Sequence, residues 1–145
     1  SDDFATSGRS FIWERMYESA QEKLWTGHGA GTGETFVYEI TGSVAYPHND
    51  WLLIYFDFGV LGVAVFTGCM LLTIWDCLRK ARTCRHPETR LLLLTGASAF
   101  IPFMLLMVTD NIMVYAAFFG NLHFTFLGLA YGSLRAERLS DLGGQ

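Results

Sequence analysis

Three segments nearly free of charge constrain this chain more than any other feature. Between Trp51 and Trp75 the only acidic or basic side chain is Asp57, between Leu91 and Val108 there is none, and from Ile112 to Tyr131 only His123 can carry charge. Each is close to the ~20 residues that cross ~30 Å of hydrocarbon as a helix. A water-soluble core in a chain of 145 residues is too small to bury all three. The expected fold is therefore all-α: an integral membrane helical bundle in which an extracytoplasmic amphipathic helix and loop precede three transmembrane helices.

Basic residues near span ends are retained on the cytoplasmic side. Arg79, Lys80, Arg82, Arg85 and Arg90 lie between the first and second spans, and Arg135 and Arg138 follow the third. Residues 1 to 50 carry only Arg9, Arg15 and Lys23 against eight acidic residues, which predicts an outer location for them. The expected division is an extracytoplasmic helix and glycine-rich loop over 1–46 and a first transmembrane helix over 47–78. A basic cytoplasmic loop follows over 79–90, then a two-helix transmembrane hairpin over 91–131 and a cytoplasmic tail over 132–145. The chain begins at Ser1 without an initiator Met or a signal-peptide pattern, so upstream transmembrane helices are expected to be missing. With a formal net charge of −4, nucleic acid is not an expected partner. Cys69, Cys77 and Cys84 fall outside the outer segment and match no zinc spacing, so free thiols and no metal or cofactor are expected.

Thr6 or Ser7 can cap a helix running from Gly8 to about Trp25, with Trp13, Met16, Tyr17, Ala20 and Leu24 on its apolar side. The run Gly27-His28-Gly29-Ala30-Gly31-Thr32-Gly33 lacks the flanking strand of a phosphate loop and reads as a flexible turn. Phe36 to Ile40 alternates weakly and reads as a short extended piece. In an unbroken first span, Asp50, Asp57, Ala64 and Gly68 share one stripe and Gly59, Gly62 and Phe66 the next. Asp57, at membrane depth, is then expected to face a partner or a wet cavity. Asn121 and His123 read as hydrogen-bonding groups between helices.

Pro47-His48-Asn49-Asp50 marks a helix start, with proline before it and Asn or Asp available as cap. His48 stands at the outer tip of the first span, where an imidazole can exchange protons near neutral pH. The short Thr109-Asp110-Asn111 turn puts Asp110 at the same face.

These residues carry a resemblance to the O-antigen ligase and polymerase family of bacterial membrane glycosyltransferases. It rests on Gly8-Arg9-Ser10 leading into an outer helix, on the Gly27 to Gly31 cluster, and above all on His48-Asn49, nine residues, Gly59-x-x-Gly62. It covers roughly residues 7 to 75. An Arg-x-x-x-Leu element of ligases has no match, since Arg9 is followed by Trp13 and Arg15 by Ser19, and ligase and polymerase both stay open.

The resemblance implies transfer of an oligosaccharide from a polyprenyl diphosphate carrier to an acceptor glycan or lipid A core, without a metal, at the bacterial inner membrane with residues 1–50 periplasmic. His48 would be the catalytic base. Arg9, and more weakly Lys23, would bind the diphosphate, while Asn49, Asp50 and Asp110 would hold the acceptor or orient the imidazole. Membrane lipids are further partners. Two rival readings are a non-catalytic assembly module docking through Gly59, Gly62 and Gly68, and a transport element using Asp57, Asn121 and His123.

Overall fold

The computed structural model describes residues 8–43, 46–115 and 119–143, and the regular structure among the described residues is helical, with no strand. Five α-helices follow in order: α1 (Arg9–Ala20), α2 (Thr32–Thr41), α3 (Asp50–Thr83), α4 (Pro87–Leu106) and α5 (Phe119–Gly143), with a 3-10 turn at Gln21–Lys23. The chain forms two compact units, Ser1–Gly68 with Leu105–Met113, and Cys69–Met104 with Val114–Gln145.

In the first unit, Ile12, Met16 and Ala20 recur at four-residue steps along α1, so they share a face and pack with Val37 and Phe56 into a core. Burying side chains the size of Met16 or Phe56 contributes about 1.5–3 kcal/mol each. The buried stripe is displaced from the expected one: Met16 and Ala20 belong to it, but Ile12 replaces Trp13 at its centre and Tyr17 is exposed. The expected cap residues Thr6 and Ser7 lie outside the described residues. Phe36 to Ile40 is helical within α2, because Gly33 and Val37, four apart, form its buried face.

The expected unbroken first span is interrupted. Gly59 has φ 65° and ψ −164°, a conformation essentially reserved for glycine, inside α3. A helix break leaves backbone groups without partners, and the segment at 24–29 takes up four of them. His28 and Gly29 donate N–H to the carbonyls of Phe56 and Asp57 (both 2.9 Å), while Val60 and Leu61 donate to those of Leu24 and Trp25 (2.9 and 3.2 Å). In an unbroken helix those same carbonyls and N–H groups would have bonded each other across four residues. The glycine-rich stretch is thus an ordered, hydrogen-bonded element and not a flexible turn.

In the second unit the C-terminal part of α3 packs with α4 and α5. The His123 ring nitrogen Nε2 meets the carbonyl of Gly96 at 2.8 Å, and Thr89 donates its hydroxyl to Glu137. Residue 96 with 123 and residue 89 with 137 make α4 and α5 antiparallel. His123 is the helix-to-helix bonding group the sequence suggested. Tyr131 donates to Asp76 at 2.6 Å, and Lys80 also pairs with Asp76, joining α5 to α3. Cys69, Cys77 and Cys84 are free thiols.

α3 and α4 are long and apolar enough to cross a membrane, and only 11% and 28% of their most apolar stretches are buried within the protein. Large apolar side chains such as Val65, Leu72, Leu91 and Ile101 lie exposed along them, as lipid contact requires. The helix expected from Ile112 begins at Phe119 instead. The displacement has a cause: Met107 and Met113 are bonded through their backbones to Asp50, which holds the segment between them out of a helix.

Candidate functional site

The His48 region is held from two sides within the first unit. From α1, the Trp13 indole Nε1 donates to the carbonyl of Pro47 at 2.6 Å. From the 107–113 segment, the Met107 carbonyl accepts the N–H of Asp50 at 2.8 Å, and the Asn111 side-chain oxygen accepts the N–H of His48 at 2.7 Å. Asn49 caps α3 with its side-chain oxygen, taking the Leu52 N–H at 3.0 Å. Between these restraints His48 adopts φ 52°, the one left-handed non-glycine conformation among the described residues. Such a conformation persists only where the surroundings over-determine it.

The imidazole of His48 is 38% exposed, yet its Nδ1 atom is buried and makes no hydrogen bond. Asp110 Oδ1 lies 3.5 Å from that nitrogen, close enough for charge attraction but not aligned as a hydrogen bond. Asp110 is itself fixed, its Oδ1 accepting the Asn111 N–H at 2.8 Å. Arg9, the first residue of α1, donates Nη1 to the Thr109 carbonyl at 3.4 Å, a long contact that leaves most of its donors uncommitted. Arg9, His48 and Asp110 are thereby gathered around the 107–113 turn.

Two expected site residues are placed differently. Asp50 is fully buried, and its carboxylate accepts Asn111 Nδ2 at 3.2 Å and the Met113 N–H at 2.9 Å, so it faces the protein and is not free to hold an acceptor hydroxyl. Lys23 closes the 3-10 turn that follows α1, ~20 Å from Arg9 at the ~1.5 Å per residue of the helix and ~2 Å of the turn. It cannot share one diphosphate with Arg9. Asn111, which sequence reasoning passed over as a turn residue, bonds to His48, Asp50 and Asp110 alike. Its position beside Asp110, between two apolar segments, was the available signal.

Asp57 does not face a cavity. Its carboxylate accepts the N–H groups of Gly31 and Gly33, both at 2.7 Å, and the Thr32 hydroxyl at 3.3 Å, and so caps the start of α2. The glycine run does form an anion-binding nest at a helix N-terminus, and the anion it holds is this internal carboxylate. That removes the main support for a transport element built on Asp57. Asp57→Asn should destabilise the protein by about 1–2 kcal/mol, through loss of one acceptor and of the charge at the helix start. The check is the thermal unfolding midpoint of the purified protein, and an unchanged midpoint would rule out the capping role.

The described residues are built from helices, two of which are long and apolar enough to cross a membrane, which points to a membrane protein with a restrained histidine at the tip of one of these helices. Residues 1–67, just under half of the chain, match the O-antigen ligase family. No curated protein and no solved structure gives a significant match.

Proposed function

We propose that this chain is the part of a membrane glycosyltransferase that carries its catalytic base, in an enzyme moving an oligosaccharide from a polyprenyl diphosphate carrier to an acceptor sugar hydroxyl. The acceptor is a growing glycan in a polymerase, or a lipid A core in a ligase. The observation carrying this reading is the grouping of Arg9, His48 and Asp110 at the start of an apolar helix, two of the three within the segment that matches the O-antigen ligase family.

The acceptor oxygen attacks C1 of the sugar, the C1–O bond to the diphosphate breaks, and the acceptor proton goes to His48. With Nδ1 buried, Nε2 is the ring nitrogen that faces the acceptor, and Asp110 on the Nδ1 side stabilises the imidazolium as it forms. Arg9 grips the diphosphate, whose departing oxygen gains negative charge. One direct displacement inverts the configuration at C1. In this reading α3, α4 and the apolar front of α5 cross the inner membrane, with residues 1–50 periplasmic and 132–145 cytoplasmic.

The test is transfer of a carrier-linked glycan to acceptor in membranes bearing the intact protein. Arg9→Ala should raise the KM for the carrier by roughly 10- to 100-fold, the worth of a charge-assisted contact, with a smaller change in kcat. An unaltered KM would remove Arg9 from the carrier site.

A further inference from the structure

We infer that Asn111 is the positioning residue that sets His48 for proton transfer, an inference that rests on His48 being the base. Three of its polar groups each take a different partner. The side-chain oxygen accepts the His48 N–H at 2.7 Å, Nδ2 donates to the Asp50 carboxylate at 3.2 Å, and the backbone N–H donates to Asp110 Oδ1 at 2.8 Å. The base, the carboxylate beside its ring and the buried carboxylate two residues after it are all tied to this one residue. Asn111 is itself 2% exposed, so its own polar groups, once parted from these partners, are left without ready access to water.

The arrangement explains how His48 keeps its left-handed backbone. The conformation costs about 1–3 kcal/mol. The bond from its N–H to Asn111 opposes relaxation, and Asn111 is prevented from turning away because its other end is held by the fully buried Asp50. If the amide is lost, the His48 backbone can relax toward ordinary dihedrals and swing the ring away from Asp110.

The pairing has a direction that a merely space-filling residue would lack. Asn111 offers its oxygen to His48 and its nitrogen to Asp50. Asn111→Asp keeps the size and the acceptor for His48 but sets a carboxylate against that of Asp50. Exchanging the two residues, Asp50→Asn with Asn111→Asp, restores one donor and one acceptor between them and leaves an oxygen for each of the N–H groups of His48 and Met113.

The experiment measures kcat and KM for glycan transfer by the intact protein in membranes, normalised to correctly folded protein. It compares the parent, His48→Ala, Asn111→Asp and the exchanged double variant. Asn111→Asp should lose about 100-fold in kcat, the scale of an ångström-sized displacement of a catalytic group, with the carrier KM within about 2-fold of the parent. The double variant should recover most of that loss, since coupled neighbours are not additive.

If His48→Ala is inactive while Asn111→Asp keeps the parental kcat, the positioning role is overturned and the base assignment stands. The positioning role is equally overturned if the defect of Asn111→Asp is entirely a loss of folded protein, with normal kcat in what remains. If His48→Ala itself transfers normally, the base reading fails and this inference fails with it.

Discussion

Gly59→Ala is expected to abolish the native first unit. A Cβ built at Gly59 would lie 2.5 Å from the backbone carbon and oxygen of Trp25 and 2.7 Å from the N atom of Gly27. These are main-chain atoms fixed by the exchange of hydrogen bonds around the break, so no flexible side chain can move aside. The left-handed φ adds about 1–3 kcal/mol of strain. Relieving the clash by straightening α3 would strand the N–H groups of His28 and Gly29 and the carbonyls of Leu24 and Trp25. Losses of this kind approach the roughly 5–15 kcal/mol that typically holds a whole domain. The expected readout is loss of correctly folded protein in membranes, by protease resistance or thermal unfolding. Gly27→Ala should behave alike, because its Cβ would meet the Asp57 carbonyl carbon at 2.3 Å. Parental stability in either variant would contradict the interlocked break.

The second large effect is on chemistry. His48→Ala is expected to lower kcat for glycan transfer by about 10²–10⁴-fold, the usual worth of a positioned general base. Folded protein should persist, because the restraints on this region come from its backbone, from Trp13 and from Asn49, and not from the imidazole. An imidazole that is 38% exposed, with no hydrogen bond at Nδ1, contributes little to stability. Loss of transfer without loss of protein is therefore the signature expected of a base.

The helical class and the two apolar helices were legible because runs of uncharged residues are local features that length and hydropathy expose directly. The tip position of His48, its proximity to Asp110 and the Asn49 cap were legible for a similar reason, since a proline before a helix start and a short polar turn are local signals. The break at Gly59 was hidden. It is stable only because residues 24–29, some thirty positions earlier, supply partners for the exposed backbone groups, and a reading that follows one helix at a time has no access to them.

The identity of the partner of Asp57 was hidden for the same non-local reason. Its depth in an apolar run suggests a partner or a wet cavity, and the structure supplies the first, the amides of Gly31 and Gly33. Phe36, Tyr38 and Ile40 alternate as a strand would, but the face that packs is defined by Gly33 and Val37, one helical turn apart. The family resemblance sets Asp50 among the residues that hold the acceptor or orient the imidazole, whereas the structure makes it a buried brace for the segment that carries Asn111.

The most direct test of the account is glycan transfer by His48→Gly with and without added imidazole. Glycine accepts the left-handed backbone at position 48, so this substitution removes the ring while leaving its surroundings unstrained. The account predicts that His48→Gly is folded but silent, and that imidazole in solution restores part of the transfer by taking the acceptor proton from the vacated space. Transfer by His48→Gly at the parental rate without imidazole would contradict it.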